Sequence, residues 1–348
     1  MRPPCFAVQA DVAAVPPGRP HRAAPTSVKR KKSRLKARLA PLLLNAGLRL
    51  LTSTLGRLSW PAAQRAGRAI GVLGWQLSRR DRRRTLEHLA LAYPGMPEAQ
   101  RRRLGRDCFR HHGTTLGECL HLFHRDCEFV PSVVDLKGWE EVEKARREGR
   151  PILILTAHCG NWELLGAALN CRGLGMAALA RELGEPAQQR MLAALRQRFG
   201  TPTIARGTEG AARQLLGTLR RGGALGMLID QDTKVDGVWV PFFGRPAFTP
   251  VAAAKIALRQ NAAVIPTFSE RLADGRHLVT LHPPLELPED PTEATALMTA
   301  KIEEQVRRRP EQWVWMHRRW RRQPSPHPPA PSPASSLPTS PGEGENRK

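Results

Sequence analysis

Between residues 133 and 285, short apolar runs alternate with stretches of helical periodicity. The apolar runs predict strands at residues 152–157, 176–180, 202–205, 225–230, 262–268 and 277–282. The helical patterns lie at residues 162–170, 187–198, 209–221, 249–260 and 292–308. Strands separated by helices are typical of a parallel sheet, because parallel neighbours need a crossover connection. We therefore predict an α/β fold, with a mostly parallel sheet flanked by helices and a functional site at the carboxyl ends of the strands.

The first of these strands leads into a histidine. Residues 151–166 read Pro-Ile-Leu-Ile-Leu-Thr-Ala-His-Cys-Gly-Asn-Trp-Glu-Leu-Leu-Gly, and His158 falls in the turn before a helix that Asn161 can cap. From this turn His158 can meet Glu163, whereas on one continuous helix the two would point about 140° apart. A carboxylate on one imidazole nitrogen leaves the other nitrogen free as a general base. The structural alternative is a buried turn histidine and a glutamate favoured by the helix dipole.

The residues between this pair point to a family. His158-Cys-Gly-Asn-Trp-Glu163 resembles the His-x-Gly-Asn-Trp-Glu motif of the lysophospholipid acyltransferase superfamily, and within it the bacterial lipid A biosynthesis lauroyl/myristoyl acyltransferase branch. The resemblance covers residues 40–322. It implies that His158 takes a proton from an acceptor hydroxyl, that Glu163 orients and stabilises the imidazole, and that Asn161 helps to bind substrate.

A second block of the family contains basic residues that surround the acceptor and the reacting carbonyl. Ala180-Arg181-Glu-Leu and Ala205-Arg206-Gly207 look like this block, although Glu182 stands where the family often has proline. Arg181 and Arg206 are therefore substrate-binding candidates. Which arginine among positions 181, 190, 196, 198 and 206 faces the site is open, and each of them could instead be an ordinary surface residue.

A third block begins at Leu228-Ile-Asp-Gln-Asp232 and continues as Gly237-Val-Trp-Val-Pro-Phe-Phe-Gly-Arg-Pro-Ala247. It resembles the family's Asp-Gln segment and predicts Asp230 and Gln231 at the end of a strand, as substrate-binding residues. Phe242, Phe243 and Gly244 would line an acyl-chain groove. Core packing of the phenylalanines is the alternative.

The segment Pro310-Glu-Gln-Trp-Val-Trp-Met-His-Arg-Arg-Trp320 is similar to the family's closing signature. We interpret it as structural, with arginines able to meet phosphate.

The reaction implied by the resemblance needs no covalent enzyme intermediate, because a thioester donor is already activated. Base catalysis and oxyanion stabilisation suffice, with backbone N–H groups near residues 160–162 or Arg181 as the candidate oxyanion donors. A nucleophilic role for Cys159 is disfavoured. No nucleotide-binding glycine loop or metal motif stands out in the sequence, so no cofactor is expected.

The net charge of +24 on 348 residues predicts acidic partners, which could be nucleic acid, an anionic membrane or an acidic carrier. With one tyrosine and no aromatic RNA-binding motif, nucleic acid is not expected. The six cysteines form no Cys-x2-Cys pair, which indicates free thiols in a reducing compartment. The cysteines and histidines between residues 108 and 127 match no common zinc spacing.

The chain divides by composition into four segments. Residues 1–28 predict a disordered leader and residues 29–60 a basic amphipathic helical segment associated with the membrane, because seven of the ten residues from 29 to 38 are basic and precede leucines at helical spacing. Residues 61–125 are predicted to be helical and form the first part of an acyltransferase domain at 61–322. A Pro/Ser-rich disordered tail follows at 323–348.

Taken together, these observations predict an acyltransferase at the cytoplasmic face of the bacterial inner membrane. The resemblance implies transfer of a fatty acyl chain from acyl carrier protein to a hydroxyl of a Kdo-bearing lipid A precursor, an anionic glycolipid. One alternative is a sister enzyme that acts on a phosphatidylinositol mannoside, an ornithine lipid or a lysophospholipid. The other is a non-enzymatic, basic membrane- or nucleic-acid-binding protein.

Overall fold

The computed structural model describes residue 47 and residues 52–180, 186–205 and 208–324. The predicted leader, most of the segment 29–60 and nearly all of the tail 323–348 lie outside these residues, and so do Arg181 and Arg206. Within the described part of the chain, no helix is both long and apolar enough to cross a lipid bilayer.

Among the described residues, three long helices precede the sheet: α1 (Trp60–Leu77), α2 (Arg79–Ala92) and α3 (Glu98–Leu122). The sequence predicted a helical stretch over residues 61–125 without this division. Small residues allow α1 and α3 to pack with their backbones in contact. A Cβ atom added at Gly67 would press on the carbonyl of Gly113, and one added at Gly113 would press on the carbonyl of Gly67. This close approach holds α1 and α3 together in one helical layer, and the turn that carries His158 is bound to this layer.

The sheet has seven strands in the spatial order β1-β9-β8-β2-β5-β3-β4. They are β1 (Val134–Lys137), β2 (Ile152–Thr156), β3 (Met176–Ala180), β4 (Thr203–Ala205), β5 (Ala224–Leu228), β8 (Ala263–Arg271) and β9 (His277–Leu281). All neighbouring strands are parallel except β8 and β9, which pair antiparallel. The prediction of a mostly parallel α/β sheet is confirmed, and its six predicted strands are present.

Helices cover both faces of this sheet. They are α4 (Val130–Val133), α5 (Glu140–Arg147), α6 (Trp162–Cys171), α7 (Pro186–Arg198), α8 (Ala211–Arg220), α9 (Ala252–Gln260) and α10 (Pro291–Arg308), followed by a 3₁₀ turn at Pro310–Gln312. Successive residues of β2 point to opposite faces, because side chains alternate along a strand. Leu153 and Leu155 therefore join the core beneath α9 and α10, whereas Ile152 and Ile154 join the core beneath α5 and α6.

Strands β1, β6 (Gly237–Phe242) and β7 (Arg245–Pro250) and the short helices α4 and α5 were not predicted. Strand β1 is short and only partly buried, so its apolar signal is weak. Strands β6 and β7 form an antiparallel hairpin where the sequence indicated only an aromatic-rich turn. Its two-residue loop, Phe243-Gly244, has positive φ angles of 54° and 68°, as a type I′ turn requires.

The expectation that all the cysteines are free thiols was wrong. Cys127, after α3, forms a disulfide with Cys171, the last residue of α6, across 44 residues of chain. Sequence spacing gave no sign of the pair, because only the packing of α6 against the segment after α3 brings these residues together. Cys108, Cys119 and Cys159 are free.

We expect Gly113→Ala to lower the free energy of unfolding by about 2 kcal/mol, because the added methyl group overpacks a backbone contact. Gly74→Ala in α1 is the matched control, since its Cβ would meet only the Phe109 ring at 3.5 Å. Helix propensity should make that variant about as stable as the wild type or slightly more so. Urea unfolding monitored by circular dichroism measures both, and equal effects would contradict the proposed helix contact.

Candidate active site

The strand register places a carboxylate directly opposite His158. In the parallel pair β2–β5, Thr156 aligns with Leu228, so residues two positions further along each strand are His158 and Asp230. The imidazole Nδ1 lies 2.8 Å from Asp230 Oδ1, and the backbone N–H of His158 donates to Oδ2 at 2.9 Å. The predicted position of His158 after the first strand of the alternating region, at a carboxyl strand end, is thus confirmed.

Asp230 is built to stay ionised. Its side chain is fully buried, and it also accepts a hydrogen bond from Trp313 Nε1 at 2.8 Å. Burial by itself would raise the pKa of Asp230, but the nearby His158 and the hydrogen bonds from His158 and Trp313 outweigh it and hold the pKa below its ordinary value. An ionised Asp230 accepts a hydrogen bond from the Nδ1–H of His158 and leaves Nε2 as the basic nitrogen of the ring.

The carboxylate on His158 was expected to be Glu163, and this pairing is corrected. The Arg196 guanidinium on α7 donates to both oxygens of Glu163, at 2.8 Å from Nε to Oε2 and 2.7 Å from Nη2 to Oε1. Both groups are largely buried, with side-chain exposures of 13% and 9%. A bidentate pair of this kind uses the full hydrogen-bonding face of the carboxylate, so Glu163 serves Arg196 and Asp230 serves the histidine.

The arginine question left open by the sequence is thereby partly answered. Of the arginines at positions 190, 196 and 198, Arg196 is the one that contacts the Glu163 side chain. Arg190 is exposed, and Arg198 donates to the backbone carbonyl of Arg125. Arg181 and Arg206 lie outside the described residues.

Gln231 connects His158 to a second histidine. Its amide nitrogen lies 2.9 Å from His158 Nε2 and 3.1 Å from His158 Nδ1, and it lies 2.6 Å from His317 Nδ1. Since Nδ1 is engaged by Asp230, we assign the hydrogen bond to Nε2. An amide group has two N–H donors, so it can serve both rings if each ring presents an unprotonated nitrogen. The two rings are 5.0 Å apart and nearly perpendicular. Gln231 was predicted to bind substrate, and in this structure its amide instead covers the basic nitrogen.

His317 is the residue of this site that sequence reasoning missed. It lies in the closing segment 310–320, which was interpreted as structural. Burial, followed by the neighbouring His158, lowers the pKa of His317 to about 3, so the ring is neutral and can accept from Gln231. The available signal was a histidine beside buried tryptophans in a segment already matched to the family.

The turn after His158 is held from behind by a buried polar network. Asn161 Oδ1 accepts from the N–H of Leu164 as a helix cap, and its Nδ2 donates to Glu118 Oε2 at 3.0 Å. Asn161 is completely buried, so the expectation that it binds substrate is corrected. The N–H of Gly160, a candidate oxyanion donor, is also engaged, because it donates to the carbonyl of Gln312 at 2.9 Å.

Gly160 is required by this geometry. Its φ is +60°, and a Cβ there would press on the carbonyl of Ser269. The carbonyl of Gly160 lies 3.1 Å from His111 Nε2, which ties the turn to α3. This accounts for one of the histidines in the cysteine- and histidine-rich stretch; another member, Cys108, donates to the carbonyl of Trp313. Among the described residues, no cluster of three potential metal ligands forms.

The phenylalanines of the hairpin belong to the core and not to an open groove. Phe242 is fully buried between Trp313 and Trp320, and Phe243 packs on Tyr93 and Trp315. The expectation that they line an acyl groove is therefore corrected, in favour of the core-packing alternative. Gly244 is exposed at the tip of the hairpin.

An apolar cavity instead lies beneath the Glu163–Arg196 pair. It is lined by the ends of β2, β3 and β5 and by α6 and α7, with Trp162, Gly166, Met176, Leu195, Phe199 and Leu228 among its walls. Trp162 also packs against the His158 ring, at 5.0 Å between centroids. The cavity is small in this structure, with a volume of about 30 Å³, and Glu163 and Arg196 are its charged lining residues.

Cys159, next to the histidine, is 3% exposed, and burial raises the pKa of its thiol well above the ordinary value. The protonated thiol has no nucleophilic character at neutral pH. This agrees with the expectation that no acyl-cysteine forms.

We expect NMR of ¹⁵N-labelled histidine to show His317 neutral at pH 5, because its pKa lies near 3. The variant His158→Ala should raise the pKa of His317, since it removes the second-largest cause of the decrease. A His317 ring that titrates near pH 6.5 in the wild type would contradict the arrangement, as would a pKa unchanged by the substitution.

A sequence model of the family described as bacterial lipid A biosynthesis acyltransferase matches residues 28–322. The chain is 26% identical over 249 residues to the lipid A biosynthesis acyltransferase of Haemophilus influenzae, across 71% of this chain and 78% of that protein. It is 28% identical over 262 residues to the lipid A biosynthesis myristoyltransferase of Escherichia coli, across 74% and 79%.

A shorter match, 26% identical over 132 residues, links it to the phosphatidylinositol mannoside acyltransferase of Mycobacterium tuberculosis, across 37% of this chain and 42% of that protein. The lipid A family model, in contrast, covers most of the chain and includes every residue of the site described above. The chain belongs to the bacterial lipid A biosynthesis acyltransferase family.

Proposed function

We propose that the enzyme, an acyltransferase of lipid A biosynthesis, moves a fatty acyl chain from acyl carrier protein to a hydroxyl of a Kdo-bearing lipid A precursor. The observation that carries the proposal is the pair His158–Asp230 at the carboxyl end of the central strands, with Nδ1 directed at a buried carboxylate. This arrangement prepares Nε2 to accept a proton, which is what an attacking hydroxyl requires.

In the proposed reaction, the acceptor hydroxyl displaces the Gln231 amide from His158 Nε2, and the amide keeps its hydrogen bond to His317. As the hydroxyl oxygen bonds to the thioester carbonyl carbon, its proton passes to Nε2. The tetrahedral intermediate then collapses: the C–S bond breaks, the ester forms, and the imidazolium returns its proton to the departing thiolate. Asp230 stabilises the imidazolium throughout and needs no proton of its own.

The oxyanion of this intermediate needs donors aimed at it. Since the N–H of Gly160 is bound to Gln312, our candidates are the backbone N–H groups of Asn161 and Trp162 together with Arg181. Glu163 acts indirectly in this scheme. It holds Arg196 at the apolar cavity, and we place the acyl chain of the donor in that cavity, where Met176 must shift to admit it.

The proposed location is the cytoplasmic face of the bacterial inner membrane, with peripheral attachment. The basic run from Lys29 to Arg38 supports it, because clustered arginine and lysine bind anionic lipid at about 1 kcal/mol each. The same positive charge would attract the acidic carrier protein and the anionic acceptor.

The decisive assay follows transfer from lauroyl- or myristoyl-carrier protein to the Kdo-bearing precursor in detergent micelles. His158→Ala and Asp230→Asn should each lower kcat by about 10³-fold or more, because one removes the base and the other its orienting charge. Cys159→Ala is the matched control at the neighbouring position and should keep kcat within about threefold. A Cys159→Ala loss as large as that of His158→Ala would contradict the mechanism.

An acceptor panel separates this function from its alternatives. Transfer confined to a phosphatidylinositol mannoside or a lysophospholipid would replace the proposed acceptor while keeping the base. Transfer from acyl-CoA but not from acyl carrier protein would replace the proposed donor. Absence of transfer with every donor and acceptor would reject the proposed acyl-transfer reaction.

The cavity makes a separate prediction about chain length. A methyl group at Gly166 would meet Met176 Cε at 3.5 Å and Thr201 at 3.8 Å, which is ordinary contact, so Gly166→Ala should fold normally. Because the methyl shortens the cavity, the variant should shift the ratio of kcat/KM toward shorter donors by about three- to tenfold per pair of methylenes, and Met176→Ala should shift it toward longer ones. Unchanged chain preference in both variants would place the acyl chain elsewhere.

A further inference from the structure

Four arginines, at positions 318, 319, 321 and 322, lie in the closing segment 310–320 or directly after it. The structure distinguishes Arg318 from the other three. Arg319 is buried and donates to the carbonyl of Phe248 and to Thr249. Arg321 and Arg322 both bind Asp232. Arg318 is exposed and has no acceptor among the described residues. Its position is one residue after His317, which contacts Gln231 in the catalytic site.

The arginines of helix α2 can be sorted in the same way. Arg82 donates to two backbone carbonyls, of Trp75 and Gln76, and Arg83 pairs with Glu87. Arg84 donates to the carbonyl of Met316 at 3.1 Å and lies 3.5 Å from Asp81. The exposed Arg79 and Arg80 have no protein acceptor for their side chains in the described part of the chain.

Arg80 lies one helical turn before Arg84, and Arg318 lies two residues after Met316, whose carbonyl Arg84 contacts. Positions 80, 84 and 88 share one helical face, and two of them hold the closing segment: Arg84 at Met316 and His88 at Trp315, where Nδ1 is 2.8 Å from the carbonyl. The contact of Arg84 with Met316 brings α2 against the segment that carries Arg318, two residues further on. In agreement with this placement, burial, followed by the charges of Arg318 and then Arg80, lowers the pKa of Arg84. Asp81 and Glu87 offset this repulsion only in part.

A like-charge cluster of this kind is stabilised by an anion that bridges it. Arginine favours phosphoryl oxygens because its planar group donates two parallel hydrogen bonds. We propose that Arg80, Arg84 and Arg318 form a phosphoryl-binding subsite between α2 and the closing segment. The proposal rests on the proposed function for its substrates. The phosphoryl group would come either from the acceptor glycolipid or from the phosphopantetheine arm of the donor.

The test compares two double variants with the same loss of charge. Arg80→Gln/Arg318→Gln removes the two unpaired members of the subsite, and Arg79→Gln/Arg83→Gln is the matched control on the same helix. Arg84 is kept because it anchors Met316. Binding of inorganic pyrophosphate, followed by ³¹P NMR, should weaken by about tenfold in the first variant and by less than about twofold in the second.

Kinetics then identify the source of the phosphoryl group. The first variant should raise KM about tenfold for the substrate whose phosphate is bound, with kcat changed less than about twofold. If the glycolipid is the source, removing its phosphates should abolish the difference between wild type and variant. If the donor is the source, the difference should disappear with an acyl-pantetheine that has no phosphate.

Equal effects of the two double variants on pyrophosphate binding and on KM would overturn the subsite and indicate diffuse surface charge. Unchanged binding and unchanged KM in the first variant would overturn it as well. If the wild-type protein transfers no acyl chain and only the first double variant loses pyrophosphate binding, the proposed function is rejected and the subsite is supported.

Discussion

The hydrogen-bonded pair of His158 and Asp230 depends on the register of two parallel strands. Strands β2 and β5 align residue 156 with residue 228, and His158 and Asp230 each lie two residues beyond the end of their strand. The imidazole and the carboxylate therefore meet without any flexible element between them. A slip in this register would separate them, and a buried Asp230 without His158 would be an uncompensated charge. The same contact therefore stabilises the carboxyl end of these two strands and orients the histidine for the chemistry.

The turn that carries His158 is fixed by the helical layer. Glu118 on α3 is fully buried and accepts from Asn161, from Arg271 at the end of β8, and from Gln64 on α1 at 2.7 Å. Burial would raise the pKa of Glu118, but Arg271 and His277 lower it well below the ordinary value. Removing one member of such a network costs about 3–5 kcal/mol. The position of the base is thus fixed by a buried ionic network that joins its turn to α1, α3, β8 and β9.

Sequence alone predicted six strands of the sheet, most helices and the position of His158, because apolar periodicity and cap chemistry are local signals. It paired His158 with the wrong carboxylate because strand order is not a local property. From the sequence, Glu163 is the nearby carboxylate that a histidine in this turn could contact. Only the adjacency of β2 and β5 in the sheet shows that Asp230 is its partner. Phe242 was assigned to a groove because apolar residues near a site give the same sequence pattern whether they face a ligand or the core.

The central claim is that Asp230, and not Glu163, sets the protonation of His158. The direct measurement is the tautomer of neutral His158, read from ¹⁵N chemical shifts of labelled imidazole in wild type, Glu163→Gln and Asp230→Asn. The account predicts a proton on Nδ1 in the wild type and in Glu163→Gln, with loss of this preference in Asp230→Asn. A proton on Nε2 in the wild type, or a tautomer that changes in Glu163→Gln and not in Asp230→Asn, would contradict it.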